Sequence, residues 1–159
     1  MLTAPDRQHW EAAVGYTELE MYLDADGELE KIDPLNRAAP EVLAVRLEIY
    51  RGLEKWELMA QIAKKLADFQ ADQIQWIVSA AYAIRRAESI EAAREILLNA
   101  HPRFPGEAII PYNLACYQAQ LGDLRSAKDY LAQAFQINAK WRLAALDDVD
   151  LQPLWETLK

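Results

Sequence analysis

Residues 112–127, which read YNLACYQAQLGDLRSA, decide the fold. They form two helical patterns separated by Gly122-Asp123, in which glycine ends the first helix and aspartate caps the second. Within this stretch, Ala115 lies 34 residues after Ala81. A helical hairpin that recurs at a fixed distance predicts a stack of helix pairs, because one pair cannot bury its apolar face alone.

Five columns of mostly apolar residues keep the 34-residue spacing along the chain. They are Ala13, Leu47, Ala81 and Ala115; Tyr22, Trp56, Ile90 and Leu124; Ala25, Met59, Ala93 and Ala127; Leu29, Ala63, Leu97 and Leu131; and Ile32, Leu66, Ala100 and Ala134. No insertion separates the units, so we predict one domain over residues 1–159. Its repeats are placed at residues 6–39, 40–73, 74–107 and 108–141, with a C-terminal cap at 142–159.

Each unit is predicted to contain two amphipathic helices. In the third unit, apolar residues recur on one helical stripe from Ile77 to Ile84, and Ser89 is placed to cap the second helix. The first unit contains Asp24-Ala-Asp-Gly27, which are poor helix formers, so we expect its second helix to be short or frayed. A single helix beginning at Trp141 is expected to close the core. Its apolar residues are Leu143, Leu146, Leu151, Leu154 and Trp155.

The composition, with 52% hydrophobic and 26% charged residues, is that of a folded chain. No apolar run approaches the roughly 20 residues that span a bilayer, so we expect no membrane partner. The sequence after Met1 lacks a basic region followed by an apolar stretch, so no signal peptide is predicted. Cys116 is the only cysteine, which excludes an internal disulfide and favours a cytoplasmic location.

The net charge of −8 is concentrated in the first half of the chain. Residues 1–79 hold 15 acidic and 8 basic side chains, whereas residues 80–159 hold 10 and 9. A phosphate backbone would repel this chain, so nucleic acid is not an expected partner. The acidity has two interpretations: it keeps the chain soluble, or it attracts a basic partner near the N-terminal half.

These columns resemble the tetratricopeptide repeat family over residues 6–141. The resemblance is strongest in Tyr112-Asn-Leu-Ala-Cys-Tyr and Leu121-Gly-Asp-Leu, and Pro105 stands at the closing proline of the third unit. Arg46 departs from the family pattern, which has leucine there, and the closing proline is missing from units two and four. The segment from Trp141 to Trp155 resembles the terminal segment of bacterial members. The resemblance implies an all-α, right-handed solenoid of four helix-turn-helix units plus a C-terminal capping helix.

The family resemblance also implies a concave groove, lined by the first helix of each unit, that binds a peptide or helix of another protein. The residues carried over to this groove are Trp10, Val14, Glu48, Arg51, Val78, Tyr82, Arg85, Tyr112, Asn113 and Cys116, with Arg86 and Gln120 among the further polar members. The alternative is that the aromatic residues only pack the core, and that Trp10 covers the N-terminal end. Some family members bind chaperone C-terminal carboxylates, but Glu48 would repel such a ligand.

No constellation of residues predicts catalysis or a cofactor. His9 and His101 lie in different units, so no zinc cluster is expected, and Cys116 has no histidine nearby in sequence to activate it. A calcium loop at residues 24–29 would need an oxygen ligand at Tyr22 and a glutamate at position 33. Helix capping and a short turn account for the aspartates Asp147, Asp148 and Asp150. We therefore expect no enzyme activity, no metal, no cofactor and no small-molecule substrate.

The leading functional prediction is a protein-interaction module, an adaptor or scaffold whose groove holds a segment of a partner. One alternative is a chaperone for a secreted client, a role that small acidic tetratricopeptide proteins serve in bacterial secretion. Another is a regulatory subunit of an enzyme complex, bound through the convex face or the cap. Mutations in the groove would weaken partner binding by an adaptor, but they would leave binding of a regulatory subunit through its convex face or cap intact. Such mutations therefore distinguish the first prediction from the last.

Overall fold

A computed structural model describes residues 2–158, and the prediction of an all-helical protein is confirmed for these residues, which contain no β-strand. The helices are α1 (Ala4–Glu18), α2 (Tyr22–Leu29), α3 (Pro40–Gly52), α4 (Trp56–Phe69), α5 (Ile74–Ala87), α6 (Ile90–Ala100), α7 (Ile109–Gln120), α8 (Leu124–Ile137), α9 (Trp141–Asp147) and α10 (Trp155–Leu158). Short 3-10 turns lie at His101–Arg103 and Val149–Leu154. No described helix combines the length and apolarity that crossing a membrane requires.

The helices group into two compact units, one ending at Ala87 and the other beginning at Glu88. In the first unit, α1 packs on α2, α3 on α4, and α4 on α5. In the second unit, α7 packs on α8 and on the Val149–Leu154 turn. The second helix of each predicted pair begins at one residue of the same sequence column. These residues are Tyr22, Trp56, Ile90 and Leu124.

The turns between paired helices repeat the same backbone geometry. Glu20 and Glu54 have φ values of 58° and 55°, and Gly122 at the corresponding place has φ 85°. In each turn the amide one residue later donates to the carbonyl five residues before it, which ends the preceding helix. These bonds are Met21 N to Tyr16 O at 2.8 Å, Lys55 N to Tyr50 O at 2.8 Å, and Asp123 N to Gln118 O at 2.9 Å. Two glutamates therefore occupy a left-handed position that glycine adopts more easily.

Replacing Glu54 by glycine is expected to stabilise the protein. The left-handed conformation costs an L-residue roughly 1–2 kcal/mol, and glycine loses about 0.5–1 kcal/mol more chain entropy. We therefore expect Glu54→Gly to raise the free energy of unfolding by about 0.5 kcal/mol in urea titrations. The control is Glu88→Gly, since Glu88 holds the same column but has no positive φ. An equal gain in both variants would contradict the conformational explanation.

Asp6 fastens α1 to the loop that precedes α3. Its carboxylate is buried, with 5% exposed, and accepts hydrogen bonds from Asp33 N at 2.9 Å and Asn36 Nδ2 at 2.6 Å. These bonds, first the one from the Asp33 amide and then the one from Asn36, hold the pKa of Asp6 below its usual value. The second helix of this unit, α2, has only eight residues and includes Asp24 to Gly27. The prediction that it is short is confirmed.

The prediction of one C-terminal capping helix is wrong. The segment forms α9, then the 3-10 turn, then α10. Asp148 breaks the helix with extended backbone angles (φ −77°, ψ 111°), and its side chain accepts a hydrogen bond from Asp150 N at 3.0 Å. Pro153 lies inside the turn, where its missing N–H disfavours an α-helix.

The break decides which leucines of the segment are buried. Leu151 and Leu154 are buried, as predicted, with 0% and 1% exposed. Leu143 and Leu146, however, are 74% and 44% exposed, so they do not close the core. The half-buried Trp155 donates from Nε1 to the carbonyl of Ala145 at 3.2 Å, which ties α10 to α9. The turn, rather than a continuous helix, therefore brings the leucines of the segment into the core.

Candidate functional site

The predicted groove residues on α7 are covered by the chain's own C-terminal segment. Tyr112 and Cys116 are 4% and 3% exposed. The Tyr112 hydroxyl donates to Asp148 Oδ2 at 2.9 Å, and its ring lies 4.4 Å from the ring of Trp141. Burial, and then the hydrogen bond to Asp148, raise the pKa of Tyr112. These contacts show Tyr112 fixing the C-terminal segment.

Two further contacts hold the same segment to α7. The Cys116 thiol lies 3.6 Å from Asp148 Oδ2, and Gln120 Nε2 donates to the carbonyl of Asp150 at 2.9 Å. Asn113, on the same helix, is half-buried. Ligand atoms of Cys116, Asp148 and Asp150 lie within 4.8 Å of one another. The Asp148 carboxylate already accepts the Tyr112 hydroxyl and the Asp150 amide, so capping accounts for this grouping.

Trp10 and Val14, the predicted groove residues on α1, are half-buried in the first unit. Trp10 packs against the core of this unit and donates from Nε1 to the carbonyl of Glu41 at 3.0 Å, which links α1 to α3. A small depression of about 150 Å³ beside it is lined by Leu2, Arg7, Trp10 and Glu41. The contacts of Trp10 agree with the structural alternative that its ring packs the core.

Arg51 and Tyr82, by contrast, are brought together on the surface of the first unit. Tyr82 lies on α5 with Arg86 one turn later, Arg51 lies in the last turn of α3, and Trp56 begins α4. The four side chains form what we call the aromatic–arginine cluster (Arg51, Trp56, Tyr82 and Arg86). Helix periodicity places Tyr82 and Arg86 on one face of α5, and packing of α4 against α5 brings Trp56 to them.

The ring of Tyr82 is the centre of this cluster. The guanidinium carbon of Arg86 lies 3.5 Å from its centroid and that of Arg51 lies 5.3 Å from it. The Trp56 ring meets Tyr82 edge-on at 5.8 Å, and Arg86 lies 5.2 Å from the Trp56 centroid. Both rings are half-buried and Arg86 is exposed. These distances are within the range of cation–π and edge-to-face contacts, so the cluster is held in one arrangement.

An open cavity of about 540 Å³ lies beside the cluster. We call it the Trp56 cavity; its lining residues are Glu54, Lys55, Trp56, Glu57, Leu58, Arg86 and Ala87. Leu58 is 40% exposed, so the cavity offers an apolar wall as well as charged groups. Its size is in the range of sites that hold a small molecule or a few peptide side chains.

The other predicted groove residues of this unit lie near the cluster in sequence. Glu48 is exposed and pairs with Arg51 at 3.3 Å, one turn apart on α3. Val78 and Arg85 are half-buried on α5, which also carries Tyr82. Trp56 was not among the predicted groove residues, because the sequence placed it only in a repeat column of mostly apolar residues. The sequence feature that could have indicated a surface position is that Trp56 is the first residue of a helix, where fewer neighbours surround a side chain.

No protein-family model matches this chain, and no curated protein is detectably similar to it in sequence. Its function is therefore inferred from the geometry of the two units.

Proposed function

We propose that this chain is a tetratricopeptide-like protein-interaction module that binds a segment of another protein at the aromatic–arginine cluster. Three packed helix pairs (α1 with α2, α3 with α4, and α7 with α8) and second helices that begin 34 residues apart support the repeat assignment. The observation that carries the binding function is the surface cluster itself, in which Trp56 and Tyr82 are held by Arg51 and Arg86 beside an open cavity.

The composition of the cluster is that of an interface hot spot. Tryptophan, tyrosine and arginine are the residues whose truncation most often costs a large share of binding energy. The rings in this cluster are already fixed by their contacts with the arginines, so binding would lose little side-chain freedom. Charged residues around the Trp56 cavity supply a polar rim. The proposed site therefore combines rigid apolar area with groups that select a partner.

The burial of residues on α7 favours the first unit as the working surface. Tyr112 and Cys116 already contact the C-terminal segment, so a partner would have to displace it to reach them. Arg51 and Tyr82 need no such displacement. The working surface that we propose is thus part of the predicted groove, extended by Trp56.

The test is an affinity capture from lysate of the source organism, followed by measurement of the dissociation constant for the captured protein. We expect Trp56→Ala/Tyr82→Ala to weaken binding about 30-fold or more, as loss of hot-spot aromatics does. The matched control is Trp76→Ala, which removes a half-buried tryptophan of α5 outside the cluster. Circular dichroism would establish that both variants fold. Equal capture by wild type and the folded double variant would refute the proposed site.

A second candidate is a subunit that docks through its C-terminal segment. Leu143 and Val149 are 74% and 69% exposed there, so this segment offers apolar side chains to a partner. In this case Leu143→Asp/Val149→Asp would abolish capture, while the Trp56→Ala/Tyr82→Ala variant would bind normally. The double variant that loses capture therefore shows whether the partner binds the aromatic–arginine cluster or the C-terminal segment.

A further inference from the structure

The two cations of the Trp56 cavity are engaged within the protein. Arg86 lies over the rings of Tyr82 and Trp56 and donates from Nη1 to the carbonyl of Tyr82 at 3.0 Å. Lys55 lies 5.8 Å from the ring centroid of Tyr50, within cation–π distance. An anionic ligand would have to compete with these aromatic contacts to reach either cation.

The two carboxylates of the cavity have no such engagement. Glu54 and Glu57 are exposed, and neither forms an ion pair or a side-chain hydrogen bond within the described residues 2–158. Glu54 lies in the turn between α3 and α4, where its backbone adopts the left-handed conformation with a φ of 55°. The charged groups of the cavity lining that remain available to a ligand are therefore the two carboxylates.

The charge of the surrounding unit has the same sign. Residues 1–87 carry 15 acidic and 10 basic side chains, so the first unit is negative as a whole. A net negative unit attracts basic segments and repels acidic ones over distances near the Debye length of about 8–10 Å. Local and longer-range electrostatics thus favour the same kind of partner.

We infer that the Trp56 cavity binds a lysine or arginine side chain of the partner segment, with Glu54 and Glu57 pairing with its charge. Trp56 and Leu58 would cover the aliphatic stem of that side chain, as apolar surfaces do for long basic residues. This inference rests on the proposed function and specifies its partner as a basic peptide segment. An acidic segment, bound by Lys55 and Arg86, is the competing occupant.

The experiment titrates the full chain with a short labelled peptide that has lysine at every third position among alanine and leucine. The counterpart peptide has glutamate at the same positions. Fluorescence anisotropy gives the affinities, and the indole N–H resonance of Trp56, assigned by its loss in Trp56→Phe, reports on the cavity. We expect the lysine peptide to bind and shift this resonance, the glutamate peptide to do neither, and added salt to weaken binding.

Charge removal at the cavity gives the decisive comparison. Glu54→Gln/Glu57→Gln is expected to weaken binding of the lysine peptide about fivefold, as loss of two exposed ion pairs does. The control Glu18→Gln/Asp68→Asn removes the same charge from exposed positions of the same unit, outside the cavity, and should change affinity less than twofold. Equal losses in both variants would mean non-specific attraction and would overturn the inference.

Three other results would also overturn it: no binding of the lysine peptide, preferential binding of the glutamate peptide, or binding without a shift of the Trp56 resonance. Binding of the captured protein distinguishes failure of the inferred basic occupant from failure of the proposed function. If its binding depends on Trp56 and Tyr82 but not on Glu54 and Glu57, the function stands and the basic occupant is wrong. If its binding depends on none of these residues, the proposed function fails as well.

Discussion

Leu154→Ala is expected to lower the free energy of unfolding by about 3 kcal/mol, within the range for buried leucines. Leu154 is 1% exposed and lies in the Val149–Leu154 turn, which packs on α7. The turn is fixed by hydrogen bonds from Tyr112 and Gln120, so it cannot readily collapse to fill the space that the smaller side chain leaves. Urea or thermal unfolding followed by circular dichroism measures this loss.

Leu143 supplies the matched control for this prediction. It is a leucine of the same C-terminal segment but is 74% exposed. Leu143→Ala is therefore expected to change the free energy of unfolding by less than about 0.5 kcal/mol. If both substitutions cost the same, the Val149–Leu154 turn does not dock on α7 in solution, and the burial of Tyr112 would have to be reconsidered.

The second large effect is expected at Arg46, which joins α3 to α2. Its side chain is 13% exposed and lies 2.8 Å from Glu30 and 3.4 Å from Asp26. Removing one partner of a buried ion pair leaves the other charge uncompensated, which costs 3–5 kcal/mol for a fully buried pair. Because Glu30 is 51% exposed and thus solvated, we expect Arg46→Met to cost about 2 kcal/mol in urea titrations.

A double-mutant cycle separates the ionic contribution of Arg46 from its packing. If the ion pair dominates, Asp26→Asn should recover part of the loss in the Arg46→Met background, with a coupling energy of about 1 kcal/mol. The control is Arg7→Met, which removes a pair with Glu11 whose partners are 59% and 61% exposed and should cost less than about 0.5 kcal/mol. Additivity of Arg46→Met and Asp26→Asn would show that the pair with Asp26 contributes nothing, and would assign the effect to packing and to the pair with Glu30.

The helical elements of this protein were predictable because local chemistry specifies them. The caps Ser89 and Asp123 predicted the starts of α6 and α8, and α2 and α4 begin at the residues of the same sequence column, Tyr22 and Trp56. Glycine and aspartate content predicted that α2 is short. Gly122 predicted a turn whose backbone geometry the glutamates Glu20 and Glu54 share.

The candidate site was predictable only in part. Arg51 and Tyr82 were assigned to the groove from their places in the repeat, and the structure brings them together. Tyr112 was assigned on the same grounds, yet a segment 36 residues away in sequence covers it. Trp56 was placed only in a repeat column and not in the groove, yet its ring contacts Tyr82 in the cluster. The position of a residue within a repeat predicts the helix face on which its side chain lies, but it does not predict which other segment packs against that face.

The amino-acid sequence alone therefore specified the helical class, the period of 34 residues and the capped starts of α6 and α8. The helical class and the capped starts depend on residues within one or two helical turns of one another, and the period is the recurrence of such local patterns along the chain. The tertiary structure, by contrast, decided that the Val149–Leu154 turn packs on α7, and that Tyr112 is covered while Tyr82 remains at the surface. Those outcomes depend on contacts between distant segments, and the free energy of such contacts is not encoded in any local pattern.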